Sequence, residues 1–243
     1  MVPNLKLSKT EGDLLDSPER YGRLVGRLMY LTITCLDITF AVNKICQYSS
    51  APRLPHLRAV YKFLEYIKGT VGRGLFYSAE EDLTLKGFAD ADWASCQDSC
   101  RSTTGFTMFI GSSFILWRSK KQPTISISSA EAEYRALALA TCEMMWSCQL
   151  LCDLRIYRLP ILVLYSDSTA AIYIATNPVF HEWTKYIELD CHTVREKLEN
   201  GLLRTLHVRT IDQVAYILNK PLFPHQFQHL ISNMSLINIH SSS

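Results

Sequence analysis

The first regular apolar period lies in Tyr21 to Thr34, where Leu24, Val25, Leu28 and Leu31 recur at helical spacing with Arg23 and Arg27 between them. The residues before it are polar and carry Pro3, Gly12 and Pro18, so residues 1–20 read as a lead-in or linker. Asp37 is placed to cap a second helix running to about Tyr48, which Ala51-Pro52-Arg53-Leu54-Pro55 breaks. A third helix is predicted from His56 to Lys68, with Leu57, Val60, Leu64 and Ile67 on one stripe and Gly69 as its stop. The opening of the chain is thus a small all-helical segment.

The period changes near residue 75. Gly74 to Ser78 is strand-like, and Ala79 to Asp82 reads as an acidic turn. Strands are predicted at Leu83 to Asp90, Thr103 to Ile110 and Ser113 to Arg118, the last two joined by the short Gly111-Ser112 connection of a hairpin. A long helix follows from about Ala130 to Leu154. A fully apolar strand, Ile161 to Tyr165, leads through Ser166-Asp167-Ser168 into a short helix to about Ala175 that Asn177-Pro178 ends. An amphipathic helix over Lys185 to Glu199, a strand over Leu202 to Val208 and a last helix over Ile211 to Lys220 complete the order βββαβααβα. That alternation defines an α/β fold with helices flanking one sheet.

Composition narrows the class. Of 243 residues 48% are apolar, which supplies a sizeable core and excludes wholesale disorder. No apolar run reaches the length of a membrane span, and the first ten residues lack the apolar centre of a secretory signal. A formal charge of +2 is too small to argue for a nucleic-acid partner by bulk electrostatics, so such a partner must be argued from a local site. Eight scattered cysteines without a C-x-x-C pair read as reduced thiols of an intracellular protein rather than as a zinc site.

Three carboxylates stand where strands end or helices begin. Asp90 closes the strand in Gly87-Phe88-Ala89-Asp90, and Asp167 follows the apolar strand. Ligands bind at such strand ends in open α/β sheets. Glu133 lies one turn into the long helix and shares its stripe with Leu137, Ala140 and Met144, the face that packs on the sheet. Its neighbour Glu131 has capping-box spacing from Ser128 and faces Arg135 at i+4 as a solvated pair. A shared magnesium ion is one reason for Asp90, Glu133 and Asp167 to occupy these places. The other reading is that Asp90 and Asp167 cap turns or helices and Glu133 sits on an exposed edge.

The stretches that carry these residues are distinctive: Tyr21-Gly22-Arg23-Leu24-Val25-Gly26-Arg27-Leu28, Ala89-Asp90-Ala91-Asp92-Trp93-Ala94, Arg101-Ser102-Thr103-Thr104-Gly105, Trp117-Arg118-Ser119-Lys120-Lys121-Gln122, Ser128-Ser129-Ala130-Glu131-Ala132-Glu133-Tyr134, Leu164-Tyr165-Ser166-Asp167-Ser168 and Asp212-Gln213-Val214-Ala215. In that order they resemble the C-terminal end of a copia-type (Ty1/copia) retrotransposon Pol polyprotein, from Tyr21 to about His229. The resemblance implies a ribonuclease H-like domain over residues 79–222, a mixed five-stranded sheet flanked by helices. It also implies that residues 1–78 are the helical end of a reverse transcriptase and that residues 223–243 are a C-terminal tail. The polymerase's paired-aspartate motif is missing from the chain, and the family's Arg-Pro before the second helix is here Cys35-Leu36.

By the same resemblance Asp90, Glu133 and Asp167 are the first three members of an acidic tetrad. They would hold two magnesium ions, or manganese, roughly 3.5–4 Å apart, to hydrolyse the RNA strand of an RNA–DNA hybrid. The fourth position, acidic in the family, is Tyr216, a poor magnesium ligand. Asp212, one helical turn earlier, is the candidate substitute, and impaired cleavage is the corresponding expectation. Arg118, Lys120 and Lys121, with Arg101, form a candidate phosphate contact or an ordinary solvated loop. Trp93 and Trp117 are candidates for stacking on a base or sugar, or for the core. Asp190 reads as a surface group, or as one that supports the site from behind its ligands, on a helix beside His192, and His207 falls within a strand. Two alternatives stand beside the nuclease: a catalytically inactive domain of the same fold that binds nucleic acid or protein, and an integrase-like nuclease.

Overall fold

A computed structural model describes residues 7–78, 82–156, 161–177, 188–234 and 236–238. Three helices open the chain: α1 (Pro18–Leu31), α2 (Thr39–Cys46), preceded by a 3-10 turn at Leu36–Ile38, and α3 (Leu54–Gly69). Pro18 and Pro55 both lie in the first turn of their helices, where a missing N–H costs nothing. This is why α3 begins at Leu54, inside the stretch that reads as a break. Tyr21, Val25 and Leu28 of α1 pack on Ile45 of α2 and Val60 of α3. The Tyr21 hydroxyl donates to the Ile45 carbonyl at 2.8 Å. The described part of the lead-in is anchored rather than free: Leu7 is buried, and its carbonyl accepts from the Tyr48 hydroxyl at 2.6 Å.

β1 (Arg73–Leu75) precedes the main sheet, which holds β2 (Leu85–Asp92), β3 (Thr103–Ile110), β4 (Ser113–Lys121), β5 (Leu162–Ser166) and β6 (Leu203–His207) in the order β4-β3-β2-β5-β6. β2 is antiparallel to β3 and parallel to β5, and β5 is parallel to β6. The helices between them are α4 (Ser129–Asp153), α5 (Thr169–Thr176) and α6 (Glu188–Glu199). The predicted start of α6 at Lys185 lies outside the described residues. α7 (Pro224–Ser232) and β7 (Leu236–Asn238) follow, and β7 pairs antiparallel with β1.

The two faces of the sheet have separate cores. On one, Leu85, Ala89, Phe106, Met108 and Leu164 meet Leu137, Ala140 and Met144 of α4, so the predicted stripe does face the sheet. On the other, Phe109 and Phe114 meet Leu36, Tyr216, Ile217 and Leu230. That second core joins the helical segment and the chain after β6 to the sheet. The Trp117 indole N–H, which donates to the Thr32 carbonyl at 3.0 Å, belongs to the same junction. The last predicted helix is instead two 3-10 turns, Thr210–Asp212 and Val214–Leu218. They press against β3 so closely that a methyl on Gly105 would sit 2.8 Å from the Ala215 carbonyl oxygen. Among the described residues, no helix is long and apolar enough to cross a membrane.

Candidate metal centre

β2 runs two residues past the predicted strand, to Asp92, so Asp90 lies within it, opposite Gly105 of β3. Asp167 follows the last residue of the parallel neighbour β5. It does not cap α5. Ser168 does, its hydroxyl accepting from the Ala171 N–H at 3.2 Å, so the Asp167 carboxylate is left for other partners. Glu133 enters from α4. Ser128 caps that helix, and Glu131 accepts from the Ile127 N–H at 2.7 Å and pairs with Arg135 at 2.8 Å. The Glu131–Arg135 pair is largely covered, with 11% and 16% of the side chains exposed, rather than solvated as expected. Glu133 one turn on reaches the sheet, where its Oε2 accepts from the Ala91 N–H at 3.1 Å.

Asp90, Glu133 and Asp167 each contribute a carboxylate oxygen to a group lying within 4.8 Å. Asp90 is fully buried, and burial raises its pKa against the lowering effect of the Lys220 ammonium. Burial first, then the Asp90 charge, pushes the Glu133 carboxyl up to about 9. Like charges so close do not all ionise unless a cation joins them.

The chain after β6 surrounds this cluster. The Asn219 amide donates to Asp90 Oδ2 at 2.6 Å, and Lys220 Nζ reaches the two Asp90 oxygens at 3.0 and 3.2 Å. The Tyr216 hydroxyl donates to Asp167 Oδ2 at 2.6 Å; Thr210 and Gln213 donate to the same carboxylate at 3.3 and 3.4 Å. Sequence reasoning missed Thr210, Gln213, Asn219 and Lys220. One signal was available, since Tyr216 and Lys220 have the i,i+4 spacing that places side chains together on a helical turn.

Not every candidate converges. Asp212 turns to Arg209, at 2.7 Å, and to His229, at 3.5 Å, and Arg209 lowers its pKa; it is not in the cluster. Its place one turn before Tyr216 presumed a continuous helix, which the two 3-10 turns replace. Arg118 pairs with Glu143. Lys121 donates to Gln47 Oε1 at 3.0 Å and lies 3.6 Å from Cys96 Sγ, tying β4 to the end of α2. Arg101 and Lys120 are exposed. Trp93 is 49% exposed, with its N–H on the Ser126 carbonyl. His192 is exposed on α6, Asp190 is half-buried, and His207 lies in β6. All eight cysteines are free thiols.

The donor set fits a hard divalent cation: three carboxylates, all oxygen, with the unpartnered buried Asn219 Oδ1 close by. One consequence concerns pH. Burial and the Asp90 charge raise the Glu133 pKa from 4.5, its ordinary value, to about 9 in the folded chain. Stability is therefore expected to be greatest below 4.5 as far as this group is concerned, and to fall as pH rises to about 9. Melting temperature against pH in chelator checks this: Glu133→Gln should flatten the decline, and an equal decline in that variant contradicts the assignment.

The strand order, with three antiparallel strands extended by two parallel ones, an acidic residue within the central strand and another just past its parallel neighbour, defines a mixed five-stranded α/β domain. No protein-family model matches the chain. It is 41% identical over 241 residues to the Pol polyprotein from transposon RE1 of Arabidopsis thaliana, covering 98% of this chain and 16% of that one. It is 32% identical over 251 residues to the Pol polyprotein from transposon TNT 1-94 of Nicotiana tabacum, covering 100% and 18%. A ribonuclease H1 isolated from compost, LC11, overlaps 56% of this chain and 93% of its own at 15% identity with a TM-score of 0.44. The chain belongs to the copia-type retrotransposon Pol polyproteins, and it spans 16% and 18% of the length of the two relatives above.

Proposed function

We propose that this chain hydrolyses the RNA strand of RNA–DNA hybrids as the ribonuclease H part of a Pol polyprotein, inside the cell. Residues 1–78 then form the end of its reverse transcriptase. The observation that carries this reading is the convergence of Asp90, Glu133 and Asp167 within 4.8 Å, from a central strand, a helix and a neighbouring strand end. These three residues would hold magnesium or manganese, two ions in the full arrangement, which supply the activated water and the neutralised leaving oxygen of phosphodiester hydrolysis.

The chain's own residues position the reactants. The Ala91 N–H fixes Glu133, and Thr210, Gln213 and Tyr216 fix Asp167. Arg101 and Lys120, both exposed, are the proposed phosphate contacts, with Arg118 available once it leaves Glu143. Trp93 offers a half-open ring beside the strand that carries Asp90.

Hybrids labelled on one strand or the other test the reading. Magnesium-dependent shortening of the RNA strand alone supports it; shortening of the DNA strand, or none at all, overturns it. A second reading is an inactive domain of this fold that binds without cutting. It is favoured by Lys220 and Tyr216, which already engage Asp90 and Asp167. Hybrid binding without cleavage in magnesium would select it.

A further inference from the structure

Lys220 is unusual in being held from two sides. Its ammonium lies 3.0 Å from Asp90 Oδ2 and 3.5 Å from the centre of the Tyr216 ring, so a carboxylate and an aromatic face share one cation. Tyr216 is fixed in turn by its hydroxyl on Asp167, and Asp90 by the Asn219 amide. The ring and the ammonium therefore bridge two of the three converging carboxylates. The 26% exposure of the lysine side chain contrasts with 1% for that of Asp90, so the charge can leave toward solvent while its partner cannot. Lys220 also lines an apolar cavity of about 520 Å³ together with Phe40, Phe63, Leu222 and Phe227.

We infer that Lys220 is the centre's own counter-ion, seated on Asp90 and the Tyr216 ring in the ion-free protein and displaced when divalent cations bind. The inference rests on the reading of Asp90, Glu133 and Asp167 as a cation site. With all three ionised, Lys220 leaves a formal charge of −2, which one divalent ion neutralises. A second divalent ion would bring the cluster to +2 with the ammonium seated and to +1 with it gone, which favours its departure. Lys220 keeps the buried Asp90 charge paired before metal arrives, at the cost of weaker metal binding.

Lys220→Met keeps the stem and removes the charge. Manganese binding, read as loss of the free-ion signal in electron paramagnetic resonance, should tighten by about tenfold or more. The melting temperature in chelator should fall, and its rise on adding manganese should grow. Lys220→Arg should bind close to the parent protein. Lys121→Met, which removes a charge tied to Gln47, should change binding less than about twofold. Lys220→Gln repeats the measurement should the methionine form not fold. Equal or weaker binding in the uncharged variants, or an equal gain in Lys121→Met, overturns the inference and leaves the cation site standing. Absence of manganese binding in parent and variants alike overturns both.

Discussion

Asp90→Asn is expected to lower magnesium-dependent cleavage of a labelled RNA–DNA hybrid by roughly a thousandfold or more while the chain stays folded. The side chain keeps its shape, so the β2 register opposite Gly105 and the Asn219 contact have no steric reason to change. What goes is the fully buried negative charge that a cation would share with Glu133 and Asp167. Lys220 loses its carboxylate but is itself partly exposed, so water can take over its solvation. Circular dichroism and melting temperature report the fold, and gel analysis of strand-labelled hybrid reports the rate. Cleavage within a few-fold of the parent protein would remove Asp90 from the chemistry.

The second large effect is a gain. Tyr216→Asp is expected to raise hybrid cleavage by about tenfold or more at high magnesium, because it adds an oxygen donor beside Asp167 in place of a hydroxyl that occupies it. The substitution also empties a buried site among Phe109, Phe114 and Ile217, which costs roughly 3–5 kcal/mol of packing by analogy with other large-to-small changes. Rates are therefore best compared well below the melting transition. Tyr216→Phe separates the two effects, since it keeps the ring and removes only the hydroxyl. An unchanged rate in Tyr216→Asp, alongside abolished cleavage in Asp90→Asn, would show that position 216 has no part in cation binding.

The long helix was legible because its signals are local. The Ser128 cap, the Glu131 partner and the stripe of Leu137, Ala140 and Met144 lie within a few turns of one another. The same signals separated Glu133 from Glu131 correctly, although they missed that the Glu131–Arg135 pair would be covered. The chain after β6 was illegible for the opposite reason. Its apolar residues have helical spacing, yet Gly105 admits the Ala215 carbonyl and Asp90 and Asp167 draw in Asn219, Lys220 and Tyr216. Those contacts span more than a hundred positions for Asp90, and they favour tight 3-10 turns over a continuous helix. Lys121 tells the same story. It reads as part of a basic cluster, but its nitrogen is taken by Gln47 on the far side of the junction between helices and sheet.

Asp90, Glu133 and Asp167 are expected to act together as one cation site. Isothermal titration of manganese into the parent protein and into Asp90→Asn, Glu133→Gln and Asp167→Asn measures that directly. Saturable binding in the parent, weakened by about tenfold or more in each variant, is the expected result. Binding that survives all three substitutions unchanged would place the ion elsewhere and contradict it.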